Sequence, residues 1–346
     1  MQFTGLLSLV GALALQTPAT SQPVPVADPL FESHDVIDLQ VVGPIREIRD
    51  DRAEEPEYRE TMLHFAAPDG SGQVSARVRA RGNFRKQKST CRHMPPLRVN
   101  LRKKEVEGTL FEGQDKLKLV THCRDGEDYE QNVLKEYLAY RLYNVITDES
   151  FRVRMARITY TDDTGRDDEM VRYGFFIEDE DRMAERLAGA LAEMDRVHPY
   201  LIAGDVEPRI ALFQYAIGNT DFSLIEGHNA KVVRRENGEI IPVPYDFDWS
   251  GLVSARYARP SETLPIRHVR QRLYRGFCHD AMDATVHVDT YAAAQARWME
   301  LGDEIEGWKE DDLKKTKEYL SDFFEVLADP NKVERELVRA CRQVLG

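Results

Sequence analysis

Residues Gln214 to Gly251 read QYAIGNTDFSLIEGHNAKVVRRENGEIIPVPYDFDWSG, and the rest of the chain is best read outward from them. The order is helix end, polar loop, strand, tight turn, strand, acidic loop. Asn237-Gly238 lies between two apolar runs, NAKVV and EIIPV. That dipeptide predicts a hairpin, because a type I′ turn needs positive φ at both central residues. Polar clusters flank the hairpin: Asn219, Asp221, His228 and Asn229 before it, Tyr245, Asp246 and Asp248 after it. A hairpin returns its outer ends to one place, so Asp221, Asn229 and Asp246 are expected to be neighbours. Two carboxylates and an amide oxygen form a hard-oxygen donor set suited to Mg²⁺ or Mn²⁺. Asp and Asn are also ordinary loop residues. The grouping of Asp221, Asp246 and Asp248, however, is repulsive unless a cation or base compensates it.

Upstream, DVIDLQVVGP reads as a first strand and ETMLHFAAPDGSGQVSARVRARG as a hairpin turning at Asp69-Gly70-Ser71-Gly72. Val74, Ala76, Val78 and Ala80 alternate with polar residues, the period of a half-buried strand. The following loop, RGNFRKQKSTCRHMPP, is dense in donors (Arg81, Asn83, Arg85, Lys86, Lys88, Arg92) that suit phosphate oxygens, or simply a solvated basic loop. PPLRVNLRK and DKLKLVTHC read as strands. Lys118, between Leu117 and Leu119, points away from the face those leucines occupy. DYEQNVLKEYLAYRLYNVI reads as a helix with a capping box at Asp128 and Gln131. Its apolar face is Val133, Leu134, Tyr137, Leu138, Leu142 and Val145, with Glu136 off its centre and within reach of a basic partner.

FRVRMARITYTDDTGRDDEMVRYGFFIEDED is expected to form another hairpin, and EDRMAERLAGALAEM and EPRIALFQYAIGN helices. After the central hairpin the chain is irregular and basic. There Arg267, Arg270, Arg272 and Arg275 are placed to receive an anion or buttress the acidic cluster. The remainder reads as packing helices.

The apolar run Leu6 to Leu15, followed by small residues, resembles a secretory signal peptide. The expected division is a signal peptide at 1–22, an extended leader at 23–35, a strand-rich lobe at 36–180 and a mainly helical lobe at 181–346. Four cysteines in an exported chain permit two disulfides in three connectivities. Cys91–Cys123 with Cys278–Cys341, one bridge in each half, is the favoured one. With 42% hydrophobic residues and a net charge of −13, the 346-residue chain suits a globular protein rather than a nucleic-acid binder. No run after the leader is long and apolar enough for a membrane span. A periplasmic or secreted location is therefore expected.

The order of parts is that of a two-lobed, protein-kinase-like α+β enzyme. IGNTDFSLIEGHNAKVV followed by PVPYDFDWSG resembles the spore-coat CotH-type kinase-like proteins, and the HipA-type kinases as well. RVRARGNFRKQK is similar to the R-G-N-rich loop of the CotH-like N-lobe, and the resemblance spans roughly residues 74 to 255. It implies ATP with Mg²⁺ or Mn²⁺ as cofactors and a protein Ser/Thr as phosphoryl acceptor. Asp221 corresponds to the catalytic Asp, Asn229 to the loop Asn that holds a metal, and Asp246 to the metal-binding Asp, with Asp248 beside it. Arg81, Asn83 and Arg85 would cover the phosphates. Arg98 or Lys118 would hold the nucleotide, with Glu136 as partner. Two other readings use the same cleft: a silent nucleotide- or cation-binding envelope module, and a nucleotidyl transferase.

Overall fold

The computed structural model describes residues 28–194, 196–278 and 283–343. The expected signal peptide and residues 23–27 of the leader lie outside the described residues; the rest of the leader is not simply extended, since Pro29–Phe31 form a 3-10 turn that buries Leu30 and Phe31. Among the described residues there are ten strands: β1 (Ile37–Gly43), β2 (Arg59–Ala67), β3 (Gly70–Ala80), β4 (Leu97–Leu101), β5 (Lys116–Val120), β6 (Val153–Asp162), β7 (Met170–Ile177), β8 (Gly189–Leu191), β9 (Ala230–Arg235) and β10 (Ile240–Pro244). The helices are α1 (Ile45–Asp50), α2 (Glu127–Ile146), α3 (Glu180–Arg186), α4 (Val206–Ala216), α5 (Val288–Ala293), α6 (Gln295–Glu304), α7 (Glu310–Leu327) and the single turn α8 (Pro330–Val333).

The expected kinase-like two-lobed fold is not what forms. β1 to β7 close into a seven-stranded barrel in the order β1-β2-β3-β4-β5-β7-β6, and β10-β9-β8 form a separate small sheet. Closure depends on one parallel pairing, β1 with β6, in which Ile37 faces Ala156 and Gly43 faces Asp162. With both edges of β1 satisfied, the strands have no open edge and enclose their own core, as barrels do. Leu39, Val41, Leu63, Val99, Leu119 and Phe176 all belong to that core. A second, larger core is shared by α2, β6, β7, β9, β10 and the C-terminal helices. It draws on residues both before and after 180.

Much of the local reading holds. Val74, Ala76, Val78 and Ala80 all face inward. The central hairpin forms with Ile240 opposite Arg234 and Pro244 opposite Ala230, but its turn is not the expected type I′: Gly238 has φ of 89° whereas Asn237 does not have positive φ, and the closing bond runs from Gly238 N–H to Arg235 O. Both favoured disulfides are present, Cys91–Cys123 and Cys278–Cys341, 32 and 63 residues apart. By loop-closure entropy, spans of this length stabilise by about 4 kcal/mol each.

Other readings need correction. The β2–β3 turn is tighter than expected, since Ala67 already pairs with Gly70. The capping box on α2 does not form: Gln131 instead bonds Gly307 O and Lys309 N–H, and Asp128 pairs with Lys309 and Arg256. Val145 is exposed while Gln131, Glu136 and Arg141 are buried, because α2 is covered on nearly all sides. The helix expected over 180–194 stops at Arg186, and Gly189–Leu191 pairs with β9 instead. A Cβ at Gly189 would lie 2.5 Å from Arg234 O, so only glycine allows that approach. Among the described residues no helix is long and apolar enough to cross a membrane.

Candidate functional site

The site is assembled where the outer ends of the β9–β10 hairpin meet α2 and the β3–β4 loop. Asn229 O accepts the Tyr245 N–H at 3.0 Å, extending the ladder one step beyond Ala230 and Pro244. Asn229 also donates its Nδ2–H to Asp221 Oδ2 at 3.0 Å and to Asp221 O at 2.7 Å. Asn229 thus links Asp221 to Tyr245, the residue before Asp246, while the carboxylate cluster containing Asp246 and Asp248 is completed by Glu136 rather than by Asp221. Asn229 and Asp246 both have positive φ, 54° and 63°, a conformation disfavoured for residues carrying a Cβ.

Asp221 is held on all sides. Its N–H donates to Asn219 Oδ1 at 2.9 Å, and Asn219 is buried and bonded in turn to Gln214. Its Oδ1 lies 3.0 Å from His228 Nε2. Paired backbone bonds between Ser223 and His228 close the intervening loop. The Asn229 amide nitrogen is committed to Asp221, and among the described residues no hydrogen bond reaches its Oδ1.

Phe247 fixes the two acidic side chains beside it. It is fully buried, its ring 4.7 Å from Tyr140 and 5.4 Å from Phe213. Asp246 donates its N–H to Tyr140 Oη at 2.9 Å and keeps a partly exposed carboxylate. Asp248 is buried and accepts the Tyr257 hydroxyl at 2.8 Å.

Arg85, from the β3–β4 loop, reaches into this corner. Its guanidinium bonds both oxygens of Glu136, at 3.0 and 3.3 Å, then Asp246 at 3.1 Å and Asp248 at 3.3 Å. Burial alone would lower the Arg85 pKa, but Asp248 and Glu136 outweigh it and hold the charge firmly. Burial and neighbouring carboxylates raise Glu136 and Asp248, with Arg85 opposing. One oxygen from each of Glu136, Asp246 and Asp248 lies within 4.8 Å of the others, a spacing that can hold a cation. Arg85 is the cation found there. Glu136 therefore meets Arg85 from the loop, and neither Arg98 nor Lys118 from the strands.

A second group of opposite sign borders Asp246. Arg98 and Lys118 face each other across β4 and β5. Lys118 is buried, and its Nζ lies 3.3 Å from Glu180 and 5.0 Å from the Tyr245 ring centre. Lys231 bonds the same Glu180 at 2.9 Å and approaches Tyr245 from 5.8 Å. Arg81 is half-buried close to Asp246, yet among the described residues its guanidinium has no hydrogen bond or ion pair. Burial lowers the Lys118 pKa to about 8, helped by the positive charge of Arg81. Among the described residues Lys118 and Lys231 thus share Glu180, while Arg81 lies near Asp246 and Arg98 stands beside Lys118, a positive group in a chain that is acidic overall. Asn83 stands apart, exposed on the loop.

Lys231 and Glu180 were missed from the sequence. Lys231 interrupts the apolar run of β9, a weak signal, and Glu180 reads as a routine acidic residue in a helix's first turn. No protein-family model matches the chain, and no curated protein matches its sequence. Among the described residues the larger surface hollows, about 500 to 580 Å³ each, lie elsewhere, along β8–β9, beside β1–β2, beside α1 and along α7, so the charge pattern, not hollow size, marks the site.

Proposed function

We propose that the chain binds a nucleoside triphosphate with a divalent cation and transfers the γ-phosphoryl group to a protein Ser or Thr hydroxyl. The observation that carries this is the under-neutralised quartet of Arg81, Arg98, Lys118 and Lys231 bordering Asp246 and, through Asn229, Asp221. Arg81 without an ion-pair partner among the described residues, and Lys118 and Lys231 sharing the one carboxylate of Glu180, leave an excess of positive charge that attracts a polyanion, and the adjacent oxygen donors suit the metal that accompanies it. The cations would bind the phosphate oxygens. Asp246, which has an oxygen not committed to Arg85, and Asn229 Oδ1 would hold Mg²⁺ or Mn²⁺. When bound, that ion supplies positive charge to the phosphate oxygens. Asp221 orients the acceptor hydroxyl and takes its proton as the new O–P bond forms and the bond to the β-phosphate oxygen breaks, releasing the nucleoside diphosphate. Arg85 neutralises Glu136 and Asp248 and keeps that side of the corner rigid.

The two disulfides support placing the protein outside the cytoplasm. A silent binding module is the second reading. It is favoured by the engagement of both Asp221 oxygens, by His228 and Asn229.

ATP with Mn²⁺ is expected to raise the melting temperature, and Asp246→Asn to abolish that rise. Transfer of labelled γ-phosphate to protein identifies a kinase and transfer of the α-phosphate a nucleotidyl transferase. Binding without any transfer identifies the silent module. No shift with any nucleotide–metal pair overturns the proposal.

A pH dependence follows from Lys118. Its charge is present below pH 8 and lost as pH rises through that value. A bound phosphate restores the charge, so binding above pH 8 requires proton uptake. Affinity for ATP–Mn²⁺ is expected to be flat from pH 6.5 to 7.5 and to fall above 8, by at most about tenfold per unit. In Lys118→Met the affinity should be weaker and this fall absent. Titration calorimetry in buffers of different ionisation enthalpy checks both points.

A further inference from the structure

We propose that Arg275 is the positioning residue for Asp221, and that the Cys278–Cys341 clasp at the C-terminus holds Arg275 in place. This rests on the phosphotransfer reading of the Asp221 site.

No regular element lies between the end of α4 at Ala216 and the start of β9 at Ala230. The loop must therefore be fixed by individual contacts. Arg275 Nη1 donates to Thr220 O and, at 3.0 Å, to Phe222 O, the two carbonyls on either side of Asp221. The guanidinium also lies 5.4 Å from the centre of the Phe222 ring. Among the described residues Arg275 is the only side chain from outside 214–229 that hydrogen-bonds residues 219–228. One guanidinium nitrogen donating to both flanking carbonyls fixes the backbone at Asp221, while His228 and Asn229 fix its carboxylate.

Arg275 is braced from behind. Its carbonyl accepts the Arg342 Nε–H at 2.7 Å. Arg342 N–H donates to Gly276 O, and Cys278 N–H to Arg342 O, each at 2.8 Å, making a short parallel bridge between the segments. The disulfide lies next to that bridge, and the Arg342 guanidinium lies over Phe277 at 4.6 Å. The C-terminal segment is thereby connected through two arginines to the residue proposed to take the proton.

The test compares wild type, Arg275→Met, Arg275→Lys and the Cys278→Ser/Cys341→Ser pair, all as the full chain. The readouts are kcat and KM for ATP, the Kd of AMP-PNP–Mn²⁺, and the imidazole NMR signals of His228. Arg275→Met should lower kcat about 10- to 100-fold, as expected for a misplaced reacting group. KM and Kd should stay within about twofold, and the His228 signals should shift. Lysine should restore part of kcat, and the disulfide variant should change kcat and His228 in the same direction by less. If Arg275→Met is too unstable to study, the disulfide pair carries the same comparison. Unchanged kcat and unchanged His228 signals, or equal losses in kcat and nucleotide binding, overturn the proposal. If wild type transfers no phosphate, the phosphotransfer reading fails by itself. The His228 signals then decide the positioning role: a shift supports it and no shift removes it.

Discussion

Asp69→Asn is expected to destabilise the protein by about 3–5 kcal/mol, the cost of leaving a buried charge without its partner. The charge is that of Arg154 on β6, which has no solvent exposure. Arg154 Nη1 and Nη2 bond the two oxygens of Asp69 at 2.6 and 2.8 Å, and its other donors reach Asp35 O and Leu30 O. Asp69 is the only carboxylate paired with it among the described residues. The pair ties the β2–β3 turn to β6 and to the chain entering β1, so it braces the strands whose pairing closes the barrel. With about 2.1 cal/mol/K of unfolding entropy per residue, the loss corresponds to a fall in melting temperature of roughly 6 °C. The hydrogen bond to Arg154 holds the Asp69 pKa below the usual carboxylate value. Its stabilisation is therefore complete above the unfolded-state value, about 4, and is lost as pH falls through the lower folded value. Wild type should lose this contribution on acidification, whereas Asp69→Asn should lack that part of the acid dependence. Melting curves from pH 7 down to 3 measure both. A variant melting within a degree of wild type would mean that Arg154 has another source of compensation.

How much of this was legible in the sequence depended on how far apart the interacting residues lie. Asn237-Gly238 marks where the chain reverses, though Gly238 alone takes the positive φ expected of both, and the hairpin then brings Asn229 to Tyr245. The side-chain period of two placed Lys118 opposite its leucine neighbours. The barrel was not legible in this way. Its closure depends on β1 meeting β6, and nothing in VIDLQVV identifies a partner so far along the chain. Without that pairing the same strands read as one lobe of a two-lobed enzyme. Arg85 failed for the same reason. In its loop it resembles any donor suited to phosphate, but its carboxylate partners are 51, 161 and 163 positions away and belong to elements the loop's sequence cannot specify. Residues 180–194 failed through close packing. Their composition suits a helix, but Gly189 is needed where the chain passes against Arg234, and tertiary contact overrode propensity. Glu180 was thereby left at the start of a short helix, where it holds Lys118 and Lys231 together.

Asp221→Asn should give the largest functional effect, a fall in kcat of about 10²- to 10⁴-fold, the usual contribution of a positioned general base. Asparagine preserves the geometry. Its oxygen can still accept from Asn229, and its amide can still donate to His228, so the loop should keep its shape while the basic oxygen is lost. Nucleotide affinity should change little, because Asp221 touches none of the four cations. Asp246→Asn should behave in the opposite way. Asp246 lies beside Arg81 and carries the free oxygen assigned to the metal, so its loss should weaken ATP–Mn²⁺ binding as well as turnover. The contrast is more informative than either variant alone. A protein that merely stored nucleotide would respond to the Asp246 change and be indifferent at Asp221. A site whose acidic residues served only to hold the fold would lose melting temperature in both variants without separating kcat from binding. If Asp221→Asn retains more than a tenth of wild-type kcat, the proton goes elsewhere. His228, the other titratable group bonded to that carboxylate, is then the next residue to replace.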